Sequence, residues 1–401
     1  MILLMFVCAT LWVVWTIAAF FLYRPRPITG ATVVITGACS EMGRRLCMQL
    51  YARGARVIAW DYSKIKLQEL QADILKAAEA ADHPGTPTGA DARTTTGPPQ
   101  SDDFVVVAVD VSSRLQVQRA VKELEGPVDI IVNAAHMRPS KRLGDRGDDS
   151  AERVVQTNLL SPLVVVRQLL PQLLTASGTA SGHRRRDDYA QVVNLVSADA
   201  GYTLTPDIPE YAASQWGMVG LHYSMREWIA QKRSEYAADA ASARKTSSTR
   251  TPPAAREVRM TLVCVNEVQY GMPTVMSSLL SNTSSGLESA ARATTSPATP
   301  LVPTRSPERD SGSGSGSRGR AAPTNRDTYL QALQRRNAEL DRAAAGCVSA
   351  ICRGQERYCH TSSWATSVFY PLAMACPVPW ATRILRWMQR STSSTAAAVE
   401  G

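Results

Sequence analysis

No C-x-x-C pair occurs in the 401 residues, although eight cysteines are present (Cys8, Cys39, Cys47, Cys264, Cys347, Cys352, Cys359 and Cys376). Most lie in apolar runs, which argues against a zinc ribbon or a disulfide scaffold and fits a reduced, cytosol-facing compartment. His83, His183 and His360 are isolated, and Cys352, Cys359 and His360 lack a second paired half, so no metal site is expected. Basic residues outnumber acidic ones by 44 to 35, a net charge of +9, yet there is no long basic stripe with interleaved aromatics. The basic residues are scattered in ones and twos with one triplet, Arg184-Arg185-Arg186, so nucleic acid is not an expected partner.

Charge is also missing from Met1 to Tyr23, where Leu, Val, Ile, Phe and Trp dominate. A helix of that length reaches roughly 30 Å, enough to cross a bilayer's hydrocarbon core. Nothing basic precedes the run, as a cleavable signal peptide would require, while Arg24 and Arg26 follow it at once. The bias predicts a single-pass anchor over residues 1–23 with the following chain on the cytosolic face. A buried apolar helix of the domain itself is the alternative.

What is there, 44% hydrophobic and 20% charged residues, suits a globular core. After Pro27, apolar β-branched runs (Ala31–Thr36, Ala55–Trp60, Phe104–Asp110, Val128–Asn133, Gln191–Ser197, Val258–Val265) alternate with helical stretches (Met42–Arg53, Ser63–Ala80, Ser113–Leu124, Ala151–Thr175, Tyr211–Gln231). That alternation predicts an α/β fold with a Rossmann-type, doubly wound parallel sheet. A further helix near Tyr329–Arg353 and a short run at Arg357–His360 follow.

Three stretches stand outside that pattern: His83–Gln100, Ala237–Ala255, and Ser277–Asp327, which has no aromatic residue. The first reads as a loop insertion, while the last cannot bury enough apolar surface to offset its ordering entropy and reads as a disordered excursion. The predicted organisation is an anchor at 1–23, a dinucleotide-binding and catalytic domain at 28–275, and an insertion at 276–327. The domain's last helix and strand follow at 328–362, and a tail at 363–390. The tail has Pro371, Pro377 and Pro379, then Trp380, Ile384, Trp387 and Met388 opposite Arg383, Arg386 and Arg390. It reads equally as an interfacial membrane helix or as a cap on the core.

Strand one ends in Thr36-Gly37-Ala38-Cys39-Ser40-Glu41-Met42-Gly43 and runs into a helix. A glycine turn there turns backbone N–H groups and a helix N-terminus toward a diphosphate, with Gly37, Ser40, Met42 and Gly43 as its candidates. Asp61 ends strand two, where a carboxylate accepts from an adenosine ribose and repels a 2′-phosphate. The pair predicts NAD in preference to NADP; a strand-end cap is the alternative reading of Asp61.

The order of motifs resembles the short-chain dehydrogenase/reductase family, whose loop reads T-G-x-x-x-G-x-G. Asp110-Val111 matches the family's adenine-contacting position, and Asn133-Ala134-Ala135-His136 stands where the family has N-N-A-G. Asn158 matches the helix Asn that holds a proton-relay water. Ser197 matches the catalytic Ser, Tyr211 the catalytic Tyr, and Gln215 falls on the lysine of Y-x-x-x-K. The anchor, Trp60-Asp61 and the hydrophobic tail are similar to the retinol and 17-beta-hydroxysteroid dehydrogenase-like branch. That likeness implies a lipophilic alcohol or ketone as substrate, a membrane partner at the endoplasmic reticulum or a lipid droplet, and a homodimer as candidate assembly.

In the family the Lys four residues after the Tyr shares its helix face and lowers the phenol's pKa from about 10. Gln215 can bond a ribose hydroxyl but carries no charge. A cation about 5 Å from a phenol, at an effective dielectric near 20, is worth roughly 3 kcal/mol or two pKa units. His222, three turns beyond Tyr211, is too far to substitute. Glu41 in place of the middle glycine, Ala134 and His136 after strand four, and Val265 and Tyr270 beside the nicotinamide are further departures. Two expectations follow: an NAD-dependent oxidoreductase using Ser197, Tyr211, Asn158 and Gln215, or a catalytically silent relative acting as a membrane-bound nucleotide-binding or scaffold protein.

Overall fold

All five residues of strand β1 (Thr32–Thr36, TVVIT) are buried, the pattern of a strand covered on both faces. The computed structural model describes residues 10, 28–81, 101–124, 126–139, 141, 143–147, 149–175, 189–197, 207–246, 255–265, 325–355 and 357–359. The chain runs from β1 through α1 (Glu41–Tyr51), β2 (Arg56–Asp61), α2 (Lys64–Ala81), β3 (Phe104–Ala108), α3 (Arg114–Glu123) and β4 (Ile130–Asn133). It continues through α4 (Asp149–Val155), a π-helical turn (Gln156–Leu160), α5 (Ser161–Leu174), β5 (Tyr189–Ser197), α6 (Pro209–Thr246), β6 (Glu257–Val265), α7 (Asn325–Arg353) and β7 (Arg357–Cys359).

These strands form one parallel sheet in the order β3-β2-β1-β4-β5-β6-β7. Val33 pairs with both Val57 and Ile130, so β1 lies between β2 and β4 and the winding direction reverses beside it. Open sheets of this kind take ligands at the carboxyl ends of the strands flanking the reversal. The doubly wound parallel sheet expected from the sequence is present.

Successive strand residues serve opposite cores. Val33, Ile35, Val57, Ala59, Ile130 and Val132 join one cluster with Leu46 and Leu50 of α1 and Ala344 and Val348 of α7. Val34, Ile58, Trp60 and Ile131 join the other with Val117 of α3, Leu169 of α5 and Met218 of α6. At the amino edge of the sheet Asp129 accepts from the Thr32 amide at 2.8 Å and from Arg256 Nη1 at 2.7 Å. Both side chains are under a tenth exposed. Contacts divide the chain into Met1–Tyr270 with Glu339–Gly401, which holds the sheet, and Gly271–Ala338, whose described part is the beginning of α7.

Several boundaries differ from expectation. The stretch expected as one helix over Ala151–Thr175 is α4 and α5 joined by the π-helical turn. Helix α6 runs to Thr246, so the first half of the Ala237–Ala255 excursion is helical; its alanines are strong helix formers and outweigh the serines. Helix α7 starts at Asn325, just inside the segment read as insertion. The expected anchor at 1–23 (Thr10 aside), the tail at 363–390 and nearly all of 276–327 lie outside the described residues. Among the described residues no helix is long and apolar enough to cross a membrane.

Candidate functional site

The carboxyl edge begins with Gly37, whose φ of +66° favours glycine. A Cβ there would sit 2.5 Å from Ala135 Cα, in the loop after β4. The turn after β1 and the turn after β4 therefore cross in contact at the point where the sheet reverses. Thr36 Oγ1 fastens the crossing by accepting the amides of Ala134 and Ala135, each at 3.2 Å. A Cβ on Gly43 would strike the Gly37 carbonyl, so that second glycine lets α1 start against the turn.

Ser40 caps α1: its Oγ accepts the Gly43 amide at 3.1 Å and donates to the Gly37 carbonyl at 2.7 Å. Met42 is buried in the core, so only its backbone can face a ligand. Asp61 is buried at the end of β2, with Oδ2 accepting the Cys39 amide at 3.0 Å and Oδ1 the Ser63 amide at 3.2 Å. It thus does the strand-end capping weighed for it, while each oxygen keeps a lone-pair position. The Ala38 amide donates to the Trp60 carbonyl of β2, and the Ser40 and Arg44 amides donate to the Gly37 and Ser40 carbonyls. Burial, with Asp61 adding to it, pushes the half-buried Cys39 thiol up to about 12, so it is an unreactive wall of the turn.

Asp110 folds back on Ser112, accepting its amide at 2.9 Å and its hydroxyl at 2.7 Å. Val111 packs in the core. Asn133 ends β4 and donates to Asn194 Oδ1 at 2.8 Å, and Asn194 in turn donates to His222 Nδ1 at 3.1 Å. This buried chain crosses two strands to reach α6. His222 meets Asn194 only where α6 packs on β5, a contact between residues 28 apart that spacing does not reveal.

Asn158 sits in the π-helical turn, buried. Its Oδ1 accepts the Met137 amide at 2.6 Å, and its Nδ2 donates to the Met137 carbonyl at 2.9 Å and to Ser214 Oγ at 3.0 Å. Ser214 Oγ donates to the Tyr211 carbonyl at 2.7 Å. Both amide protons are spent, so a water held by Asn158 would need its remaining oxygen lone pair or its main chain. Tyr211 itself is 1% exposed and packs against Val154, Ile208 and Met137.

One turn on, Gln215 Oε1 accepts the Ser197 amide at 2.7 Å, with both residues buried. A lysine could not make this bond, since an ammonium only donates. The structure therefore brings Ser197 to the Tyr211 helix through the residue at the lysine position. Ser197 Oγ and Asn133 Oδ1 are buried with no hydrogen-bond partner among the described residues. The positive-φ turn, the capped helix, the Asp61 carboxylate and these two acceptors share one edge and fit a dinucleotide's ribose, diphosphate and nicotinamide in type.

Sequence reasoning missed three charged residues around Tyr211, namely Arg138, Arg146 and Glu210. The guanidinium carbon of Arg138 lies 5.5 Å from the Tyr211 ring centroid. Arg146 and Glu210 form a buried ion pair beside it, with Arg146 also donating to the Asp207 carbonyl at 3.2 Å. His136 Nδ1 donates to the Ala134 carbonyl at 3.2 Å, since a carbonyl only accepts, so that nitrogen carries the proton. Burial lowers His136 to about 4, and it is neutral near pH 7. Only the nearness of Arg138 to Asn133 in the chain could have pointed to it, whereas His136 was already singled out as a departure in that loop.

A profile described as short chain dehydrogenase matches residues 87–251. Retinol dehydrogenase 10-A of Danio rerio is 24% identical over 63% of this chain and 66% of its own length. The 17-beta-hydroxysteroid dehydrogenase 13 of Mus musculus is 26% identical over 52% of this chain and 59% of its own length. The chain thus spans under two thirds of each of these relatives. A solved metagenomic short-chain oxidoreductase in complex with NADP covers 60% of this chain and 85% of its own at 21% identity. Its TM-score of 0.42 is too low to add to the argument.

Proposed function

We propose, the chain being a member of the short-chain dehydrogenase/reductase family with relatives of the retinol and 17-beta-hydroxysteroid dehydrogenase type, that it transfers hydride between NAD(H) and a lipophilic alcohol or ketone. The observation that carries this reading is the 2.7 Å bond from the Ser197 amide to Gln215 Oε1. It ties the end of β5 to the helix turn that bears Tyr211. In this reading the Ser197 hydroxyl, buried and without a partner among the described residues, orients the substrate oxygen, and Tyr211 moves the proton. Gly37, Ser40 and Gly43 shape the diphosphate turn, Asp61 meets the adenosine ribose, and the Gln215 amide nitrogen meets the nicotinamide ribose. The bound dinucleotide supplies the hydride acceptor or donor; all proton handling is left to the chain.

Asp61 favours NAD over NADP because its carboxylate would meet a 2′-phosphate as a like charge. The charge-free run over Met1–Tyr23, followed by Arg24 and Arg26, supports a single-pass anchor with a cytosolic domain at the endoplasmic reticulum or a lipid droplet, and a homodimer is the proposed assembly. The substrate class rests on the relatives' names alone.

A second reading has its own observation. Gln215 is uncharged and its oxygen is committed to Ser197, while most loop amides are satisfied internally. A protein that keeps the fold and binds a nucleotide without turning it over would look the same. Fluorescence titration of NADH onto the full-length chain, beside Gln215→Lys, tests both readings. NADH binding followed by turnover of a retinoid, steroid or fatty alcohol supports the dehydrogenase. Binding without turnover by the natural chain supports a silent nucleotide-binding relative, and no binding by either form ends the dehydrogenase reading and leaves the scaffold protein.

A further inference from the structure

The charge that Gln215 lacks is present on a different element. Arg138 lies in the loop after β4, and its guanidinium stands over the face of the Tyr211 ring at 5.5 Å. We propose that Arg138 is the positioning residue for Tyr211, holding the ring and stabilising its ionised form in place of a lysine at position 215. The catalytic consequence rests on the dehydrogenase reading; the interaction does not.

Two observations carry it beyond proximity. The first is how a loop residue is held against a helix. Asn158 grips both sides of the Met137 peptide, which adjoins Arg138, and with the same amide reaches Ser214, whose hydroxyl holds the Tyr211 carbonyl. One buried side chain therefore fixes the backbone carrying the cation and the helix turn carrying the phenol. The second is burial: Tyr211 is 1% exposed, so a charge at its face is weakly screened. A guanidinium also stays protonated across the whole range in which a phenol titrates, and it is attracted more strongly to the electron-rich phenolate than to the neutral ring.

Among the described residues, the other charged groups near the ring do not compete. From the same loop, His136 is neutral near pH 7. Beside Tyr211 on α6, Glu210 is paired with Arg146. Asp149, Glu152 and Arg153 of the packed helix α4 are exposed to solvent, as is Asp207 just before Ile208. Arg138 is the partner whose charge meets the ring face.

The test is an ultraviolet difference titration of the tyrosinate band on the full-length chain, with Tyr211→Phe subtracted to isolate this phenol. Arg138→Met removes the charge that favours the phenolate, so its midpoint should rise by about one to two pH units. Arg138→Lys, which keeps a charge, should move it by less than half as much. Should Arg138→Met fail to fold, the neutral Arg138→Gln makes the same comparison. Coincident midpoints in the natural chain and the folded neutral variant would overturn the proposal. In parallel, the acid limb of the NADH-linked pH–rate profile should move up with the midpoint while KM for NADH stays put. A midpoint shift in a chain that turns nothing over supports Arg138 and sinks the dehydrogenase reading. Turnover whose pH profile and midpoint ignore Arg138 does the reverse.

Discussion

At the amino edge of the sheet, Asp129 places one oxygen on the Thr32 amide and the other on Arg256, with both charges buried and matched. At the carboxyl edge, Asn133 Oδ1 and Ser197 Oγ are buried with no hydrogen-bond partner among the described residues. A buried polar atom left unmade costs about 1–3 kcal/mol, so the two edges of one sheet are built to different ends. The amino edge also has buried atoms without a hydrogen-bond partner among the described residues, Gln191 Oε1 and Arg256 Nε, but Asp129 and Arg256 are joined there as an ion pair. The lesson is that the matched edge supplies stability that lets the other keep atoms in waiting for a ligand.

The largest effect should come from opening the matched edge. Arg256→Met leaves the Asp129 carboxylate buried without its cation, and removing one partner of such a pair costs about 3–5 kcal/mol. Urea unfolding should record that loss, while NADH affinity of the folded fraction, measured by fluorescence, stays within about twofold. A large affinity loss in folded Arg256→Met would break the comparison, since it would mean the two edges are coupled.

Next in size is Gly37→Ala. The positive φ and the 2.5 Å approach to Ala135 Cα impose strain of about 1–3 kcal/mol. Relief must come by separating the turns after β1 and β4, so NADH affinity should fall by roughly 10–100-fold, more than stability alone would give. An unchanged affinity would remove the diphosphate turn from this edge.

How much of this was legible beforehand follows from what each feature depends on. The parallel sheet was legible because its strands are short, apolar on both faces and separated by helices, and Val33 to Ile35 or Ile130 to Val132 could be read directly. Gly37, Ser40 and Asp61 were legible because they belong to one strand–turn–helix unit in which sequence spacing fixes geometry. The bond between Gln215 and Ser197 was not, since sequence reasoning treated position 215 as a missing charge rather than as an acceptor. Arg138, Asn194 with His222, and Arg146 with Glu210 were hidden for a different reason: each meets its partner only after β4, β5 and α6 are brought together. The π-helical turn at Asn158 was likewise invisible, because its residues Gln156–Leu160 continue the helical pattern on either side.

His136 supplies a pH test of the carboxyl edge. Its folded pKa of about 4 lies below the ordinary value of 6.5, chiefly through burial. The folded state therefore binds fewer protons than the unfolded chain between these values, so stability is full above pH 6.5 and falls as the pH drops toward 4. Allowing for partial exposure, the loss at pH 4 is on the order of 2 kcal/mol. Denaturant melts at pH 7 and pH 4 should show that difference shrinking in His136→Gln. An equal acid loss in the variant would place the sensitivity elsewhere.

The smallest effect separates stability from binding most cleanly. Ser40→Ala removes the hydroxyl that accepts the Gly43 amide and donates to Gly37, a cap worth about 1 kcal/mol. Ser40→Gly at the same position should cost only a few tenths of that unit, because the flexible backbone lets water serve the amide. If the carboxyl edge is shaped for a ligand, both variants should weaken NADH binding by more than they weaken the fold, since a diphosphate reads the position of the Gly37–Gly43 backbone and unfolding does not. An affinity loss no larger than the stability loss would mean that Ser40 serves this edge as Arg256 serves the other, by holding it closed, and the contrast between the edges would end there.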